Sequence, residues 1–469
     1  MPGPDGTTRD RRPGRGPEAA FGWAERCAQL LGRVAAAAPR VELVRYRCGV
    51  RTGITPAEAL EIVLGHTPVL GAETVSLTDA LGRVLAEPVS ATRTLPPADN
   101  SAMDGYAVRR ADLAGASPER PVTLPLAFEI PAGGAAPRPL RSGETARILT
   151  GAPVPPGADA VVRQEDTGPD ETGVAFRIEP EPGENVRRAG EDVKRGEQVL
   201  APGSLLGPAH IGLLASLGRA FVPVHQRPRV AIASSGDELV EPDGDVTGGR
   251  IVSSNSWSIA SCCRTLGARP VYLGIARDTP EDTERRLGAG LAADVLVSSA
   301  GVSVGDRDHV RGALEKLGCR LLFWGVKMKP GYPLAFGRFG EDGGRGPLVF
   351  GLPGNPVSAV MTFEQFVRPV LRRMTGHARL HRPSLRARLG ETLRKKPGRL
   401  HFVRVALERH GDDVVARSTG SQSSGVLSSL TRAQGVLLFP AEARELREGE
   451  YATVQVIDEA FLASDAAGF

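Results

Sequence analysis

Apolar positions along this chain change their spacing several times, and each change marks a boundary. After residue 54 the spacing is helical. Thr55 and Pro56 offer a cap and a first-turn proline, and Ala59, Leu60, Val63 and Leu64 recur three and four apart. Residues 77–85 read as a second short helix. From Pro96 to about Arg187 short apolar runs, at 123–128, 146–149, 160–163 and 174–178, are separated by Gly and Pro. That pattern predicts a small all-β insertion. Helical spacing returns at 208–217, with Gly218 as its stop.

Between about 227 and 376 the two periods alternate. Strands are expected at 229–233, 271–275, 294–298 and 348–350, and helices at 256–266, 280–291, 306–317 and 356–374. This rhythm predicts a mainly parallel sheet with helices on both faces. The tail returns to short strands at 402–407, 414–417, 436–439 and 452–457, as in a small barrel or sandwich. The expected divisions are an N-terminal extension (1–53), a helical/β linker domain in two parts (54–94 and 188–226), a β insertion domain (95–187), an α/β domain (227–376) and a C-terminal β domain (377–469). Within the extension, 1–17 read as disordered and 18–38 as a short Ala/Leu helix ending before Pro39.

Composition narrows the function classes. Of 469 residues, 41% are hydrophobic and 24% charged, as in ordinary globular chains. No run reaches ~18 consecutive apolar residues, which argues against a membrane-spanning helix. The net charge of +4 is unevenly placed: residues 1–53 carry +5, and the remaining 416 sum to −1. A basic tail on a neutral body disfavours a nucleic-acid-binding module, which wants a basic face on a folded unit. The five Cys (27, 48, 262, 263 and 319) are odd in number and lack a Cys-x-x-Cys pair, so a reducing cytoplasm fits best. Cys262, Cys263 and Cys319 read as inert core thiols. The eight His show no zinc-ligand spacing.

In an open parallel sheet, ligands bind beyond the carboxyl ends of the strands. Three loops here fall at that edge: Ser234-Ser235-Gly236-Asp237-Glu238, the run from Ser299 through Gly301, Ser303 and Gly305 to Asp308, and Gly351-Leu352-Pro353-Gly354-Asn355-Pro356. The Ser/Gly loop offers backbone N–H groups and hydroxyls suited to a phosphate. Asn355-Pro356 reads equally as a rigid helix start. Asp237, Glu238, Asp278, Asp306 and Asp308 bring carboxylates toward one edge, where a Mg²⁺ shared with substrate phosphates would relieve their repulsion. Only six lysines occur, yet Lys327 and Lys329 lie together in Trp-Gly-Val-Lys-Met-Lys-Pro-Gly-Tyr-Pro, 324–333. A compact ammonium there suits an anion. The turns at 99–106 and 150–152, taken alone, are polar turns and no more.

Taken together, the motifs DNSAMDGYA (99–107), RILTGAPVPPGADAVV (147–162), GEDVKRGE (190–197), ASSGDELV (233–240), GRIVSSNS (249–256), RD (277–278), SAGVSVGDRD (299–308), KPGYP (329–333) and GLPGNPVS (351–358) resemble the MoeA family of molybdopterin molybdenumtransferases, which includes the E domain of gephyrin. Their common order makes the resemblance specific, and it covers about residues 54–460. It implies a four-domain subunit in which the α/β domain is MogA-like, the linker domain is interrupted by the β insertion, and the C-terminal domain is barrel-like. It also implies a homodimer whose cleft lies between the α/β domain of one subunit and the β insertion of its partner. The implied reaction inserts molybdate into adenylylated molybdopterin and releases AMP, with Mg²⁺ as cofactor and a molybdopterin adenylyltransferase upstream.

Carried over by motif position, the resemblance implies catalytic roles for Asp104, Thr150, Asp192, Glu238, Asp278, Asp308 and Lys329. Glu238, Asp278 and Asp308 would handle metal or phosphate. Arg187, Ser299, Gly301, Ser303, Gly305, Pro353, Asn355 and Pro356 would bind substrate. Three positions depart from the common pattern: Ala300 replaces a Gly, Tyr332 replaces the second lysine of Lys-Pro-Gly-Lys-Pro, and Gly325 stands where some members carry a lysine. Lys327 is a candidate replacement charge. Because Ala resists φ > 0, the loop at 300 is expected to differ from one with Gly. The alternatives are a non-catalytic scaffold or a tungstate-specific paralogue. An adenylyltransferase would need the α/β module alone.

Overall fold

The computed structural model describes residues 50–300, 309–340, 346–411 and 413–463. The expected helix at 18–38, and Gly301, Ser303, Gly305, Asp306 and Asp308, lie outside them.

The chain enters the α/β domain earlier than the sequence pattern indicates. Strand β1 (Arg51–Ile54) lies at one edge of a seven-stranded sheet. Helix α1 (Pro56–Gly65) follows. Thr55 and Glu58 cap it reciprocally, each side chain bonding the other's backbone N–H. Its buried face, Ala59 and Val63, packs with Val230, Val297, Phe323 and Phe336 in the main core. Residues 51–65 thus join the α/β domain, whereas the sequence reading gave them to the extension and the linker. Four residues, Arg-Thr-Gly-Ile, carry no strand period of their own, and only pairing reveals them.

The other strands are β2 (Arg229–Ser235), β3 (Arg269–Ala276), β4 (Val295–Ser299), β5 (Cys319–Val326), β6 (Ala335–Phe339) and β7 (Leu348–Leu352). Their order is β1-β5-β6-β7-β4-β2-β3. β3, β2, β4 and β7 run parallel, as do β1 and β5, while β6 is antiparallel to both its neighbours. The sheet is therefore mainly parallel. Helices α2 (Ser254–Thr265), α3 (Pro280–Ala289) and α4 (His309–Lys316) alternate with the strands. The apolar residues of β2 alternate between two cores: Val230 and Ile232 on one face, Ala231 and Ala233 on the other.

The long helix expected at 356–374 is interrupted. It runs as Pro356–Thr362, a π-helical turn Phe363–Val367, and Arg368–Met374. Pro369 has no N–H to give the carbonyl four residues back, and the Arg368 N–H reaches five residues back to Phe363 O. Likewise the helix expected at 77–85 is only Leu77–Ala80, capped by Ser76.

In the β insertion, strands Leu126–Ile130, Thr145–Ile148, Gly105–Val108 and Ala160–Arg163 form one sheet, and Val122–Leu124, Gly173–Phe176 and Thr167–Asp170 another. Gly105 has a spatial reason: a Cβ there would collide with the Val162 carbonyl of the neighbouring strand. The linker pairs Ala72–Ser76 with Phe221–His225 and Val89–Ser90 with Gln198–Leu200. The C-terminal strands, β8 (Ser384–Leu389), β9 (Leu400–His410), β10 (Asp413–Ser418), β11 (Gly435–Phe439) and β12 (Tyr451–Val456), close a barrel in the order β9-β10-β8-β12-β11, with β11 pairing back to β9. The short strand Met328–Lys329 pairs with Leu400 and His401, tying barrel to α/β domain.

Candidate active site

Strands β2, β4 and β7 end side by side, and buried serines fill the edge. Ser234, Ser253 and Ser256 are each at most 2% exposed and form a hydroxyl chain, with Ser234 Oγ 2.7 Å from Ser256 Oγ and 3.0 Å from Ser253 Oγ. The chain fastens the end of β2 to the start of α2. One residue further along that helix, Asn255 Nδ2 donates to Ser299 Oγ (2.8 Å) and to Gly354 O (2.7 Å). The ends of β4 and β7 are joined through one amide. Sequence reasoning missed Asn255, because a polar residue in a helix's first turn looks like a cap. Its place in the Ser-Ser-Asn-Ser run was the available signal.

Ala300 takes φ +71°. The loop therefore keeps the left-handed conformation that Gly would adopt without strain, and the expected difference in geometry is instead a strained alanine. Of the Gly351–Pro356 loop, Pro353 is buried, and Asn355 is exposed at the N-cap position without a side-chain capping bond. Pro356 occupies the first helical turn.

The acids of this edge are loosely held. Asp278 accepts from Ser235 Oγ and Asp237 N, both at 3.4 Å, and its own N–H donates to Asp237 Oδ1 at 3.3 Å. Glu238 is exposed, and its carbonyl accepts from Ile251 N at 2.8 Å. Among the described residues no three His, Cys, Asp or Glu side chains gather closely enough to hold a metal ion. The third expected acid, Asp308, lies outside those residues.

Asp104 and Thr150 form a separate, preassembled pair in the β insertion. Thr150 donates to Asp104 Oδ1 from its N–H (2.7 Å) and its hydroxyl (2.6 Å). The hydroxyl bond, then the N–H bond, hold the Asp104 carboxyl below the usual carboxylate range. Because the folded-state value is lowered, the pair supports the ionised, folded form above the unfolded carboxyl's range, and this support is lost as pH falls through the folded value. Thr150→Val is expected to raise the Asp104 titration midpoint, measured by carboxyl NMR. An unmoved midpoint would show that the hydroxyl does not hold the charge.

Arg187 is exposed and lies opposite Asn100 in a two-residue strand pair. Asp192 is exposed, with its N–H on Leu95 O. The turn between them is anchored by Asp99, which accepts from Arg188 Nη1 (2.6 Å) and Ala189 N (2.8 Å). Among the described residues no hydrogen bond or ion pair joins Asp104 or Thr150 to Glu238, Asp278 or Lys329.

The basic corner is built where the α/β domain meets the barrel. Exposed Lys329 lies beside His401, a buried histidine whose two ring nitrogens have no hydrogen-bond partner. Burial, then the charge of Lys329, pushes the His401 imidazole down to about 4, so it is neutral at pH 7. The two departures at 325 and 332 explain each other. Gly325 has φ +79°, and a Cβ there would stand 3.2 Å from the Tyr332 ring, which also meets Trp324 edge-on. A lysine at 325 and a tyrosine at 332 would compete for the same space. The Arg399 guanidinium stacks 4.7 Å above the Tyr332 ring. Lys327 and Tyr332 both reach toward the bare Cα of Gly53, at 3.9 and 3.7 Å from where a Cβ would sit. The barrel's contribution, Arg399 and His401, was not legible, because the tail reads as bare strand pattern. The described cysteines are unbridged, and burial pushes Cys262 and Cys319 up to about 12 and Cys263 higher, as inert thiols.

Comparison with known proteins covers nearly the whole described chain. Residues 54–218 match the MoeA N-terminal region (domains I and II), 231–373 the family described as "Probable molybdopterin binding domain", and 386–457 the MoeA C-terminal region (domain IV). The chain is 39% identical over 377 residues to a molybdopterin molybdenumtransferase from a Nostoc species, covering 78% of this chain and 85% of that one. It is 40% identical over 386 residues to molybdopterin molybdenumtransferase 2 of Mycobacterium tuberculosis, covering 80% and 93%. Among solved structures, the molybdopterin biosynthesis MoeA protein of Pyrococcus horikoshii superimposes with a TM-score of 0.73 at 30% identity, over 86% of this chain and 100% of that one.

Proposed function

This chain belongs to the MoeA family, and from that premise we propose how its residues carry out molybdenum transfer to molybdopterin. The observation that supports the reading most directly is the convergence of the Ser299 and Gly354 loops with Asp278 at the carboxyl ends of neighbouring parallel strands. That is where an open α/β sheet binds its ligand.

The substrate is adenylylated molybdopterin, and molybdate supplies the metal. In the first step a water oxygen bonds to phosphorus and the anhydride P–O bond breaks; AMP leaves with its own phosphate, and molybdopterin keeps its terminal phosphate. Glu238 and Asp278 accept or relay the proton released from water. In the second step the two dithiol sulfurs bond molybdenum, and one molybdate oxygen leaves as water with the two thiol protons. Lys329 holds the anionic partner at the basic corner, and Pro353, Asn355 and Pro356 shape the wall beside it. Ser299 binds the pterin phosphate, and the family resemblance gives the same work to Gly301, Ser303, Gly305 and Asp308. The donor chemistry suits Mg²⁺: Asp278 makes only two long contacts and Glu238 is exposed, so both retain lone pairs for a cation that also takes phosphate oxygens. When bound, Mg²⁺ would supply charge compensation at phosphorus.

The Asp104–Thr150 pair makes no described contact with this cleft, which supports a homodimer in which the insertion, with Arg187 and Asp192, reaches a partner's site. The substrate's adenylyl group requires an upstream adenylyl transfer onto molybdopterin, the work of a molybdopterin adenylyltransferase. Among the described residues no helix is long and apolar enough to cross a membrane. Unbridged thiols support a cytoplasmic setting.

The test is to incubate purified protein with adenylylated molybdopterin, Mg²⁺ and molybdate, and to follow AMP and active cofactor together. Molybdate-dependent release of AMP with cofactor formation is expected. Pterin binding without turnover by molybdate or tungstate would make the protein a scaffold. Turnover with tungstate alone would make it a tungstate paralogue.

A further inference from the structure

We propose that Asn255 is a positioning residue that holds Ala300 in its left-handed conformation and with it the substrate-binding Ser299 at the end of β4; this rests on the functional reading above. A non-glycine residue at φ +71° persists only where its surroundings over-determine it. Here they do so from both sides. The residue before Ala300, Ser299, is buried and accepts from Asn255 Nδ2 at 2.8 Å. The second Nδ2 proton goes to Gly354 O at 2.7 Å, on the loop facing Ala300. The Ala300 N–H donates to Leu352 O at 3.1 Å, at the end of β7 just before that loop. The gap is closed by Ala300 Cβ itself, 3.3 Å from the point a Cβ on Gly354 would occupy. One carboxamide thus fixes the two walls between which the strained alanine is held.

The strain makes the proposal testable by epistasis. Without the amide, Ala300 relaxes toward φ < 0 and draws Ser299 from its place at the end of β4; a glycine at 300 has no such preference. In Asn255→Ala the KM for adenylylated molybdopterin is expected to rise about tenfold or more while kcat stays within about twofold. Adding Ala300→Gly to that variant is expected to return KM to within about threefold of the parent value. Asn255→Asp, which keeps the shape and loses the donor, should behave as Asn255→Ala.

Hydrogen exchange supplies a readout independent of catalysis. The amide of position 300 should exchange faster in Asn255→Ala and slow again in the double variant, where that position is glycine, with thermal melting reporting whether each variant is folded. An unchanged KM and unchanged exchange in folded Asn255→Ala overturn the proposal. Failure of Ala300→Gly to recover either readout overturns the link through Ala300. If the parent protein shows no turnover, the functional reading fails, and the exchange measurements still decide whether Asn255 holds Ala300.

Discussion

Asp278→Asn is expected to reduce kcat for molybdate-dependent AMP release by about a hundredfold or more without shifting the melting transition. The two halves of this expectation have different causes. Structurally, Asp278 contributes little, since its carboxylate makes only two contacts, both at 3.4 Å. The loop that presents it is held instead by Asp282, which accepts from Arg277 N at 2.9 Å and is kept ionised chiefly by that bond. Asparagine at 278 keeps the volume and an acceptor oxygen, so the loop has no reason to move. Chemically, the substitution removes one negative charge from an edge whose proposed work is to bind a cation against a phosphoanhydride. The concentration of Mg²⁺ needed for half-maximal rate should therefore rise as kcat falls. Asp282→Asn should show the opposite pattern, a lower melting temperature with a smaller loss of rate. If Asp278→Asn keeps more than about a tenth of parental kcat, Asp278 is no part of the reacting centre.

The polar loops after β2, β4 and β7 were legible in the sequence because they follow strands with a clear pattern, whereas Asp278 follows the half-exposed edge strand β3 and stood out only as an acid of the Arg-Asp motif. β2, β4 and β7 are buried on both faces, so their residues form continuous apolar runs, and the polar residues after them stand out. β6 escaped notice for the converse reason: Ala-Phe-Gly-Arg-Phe is interrupted by Gly and Arg, and it becomes a strand only between β5 and β7. Asp104 and Thr150 stand 46 residues apart and were joined only by family resemblance; their bond is a product of the insertion's fold. Ala300 shows a limit of another kind. Its intrinsic preference was read correctly, but preference does not decide geometry when neighbouring loops can impose it. Arg404 shows the same limit in the barrel: a charged residue inside an apolar run reads as solvent-facing, yet its side chain is 0% exposed.

Arg404→Ala is expected to be the most destabilising single change in the C-terminal domain, costing about 3–5 kcal/mol. The guanidinium is buried without a carboxylate partner among the described residues, and its charge is met by oxygen dipoles. Nε donates to Ser429 Oγ at 3.0 Å, and Nη2 to the carbonyls of Ser421 and Ser423 at 3.1 Å each. The backbone completes the attachment, with Arg404 N–H on Gln422 Oε1 at 2.9 Å and Gln422 Nε2 on Arg404 O at 3.1 Å. One side chain thus fastens the loop 419–429 over β9. Truncation leaves two carbonyls and a buried hydroxyl without their donor, together with a cavity the size of the guanidinium. Lysine cannot reach all three acceptors with a single ammonium, so Arg404→Lys should fall between alanine and the parent. The effect should reach the site, because Ser424 O accepts from Val357 N at 3.1 Å, at the start of the helix that Asn355 and Pro356 open. Faster hydrogen exchange across 419–429 and β9, with a lower melting temperature, would bear this out; unchanged exchange there would remove Arg404 as the fastening. Acid should exploit the same region. Neighbouring His401 has its folded-state value lowered to about 4, below the ordinary value of 6.5, so the unfolded barrel binds the proton first. Stability is fully present above pH 6.5 and is lost progressively as pH falls toward 4. His401→Phe, which cannot titrate, should flatten that part of the stability profile, and an unchanged slope would place the acid sensitivity elsewhere.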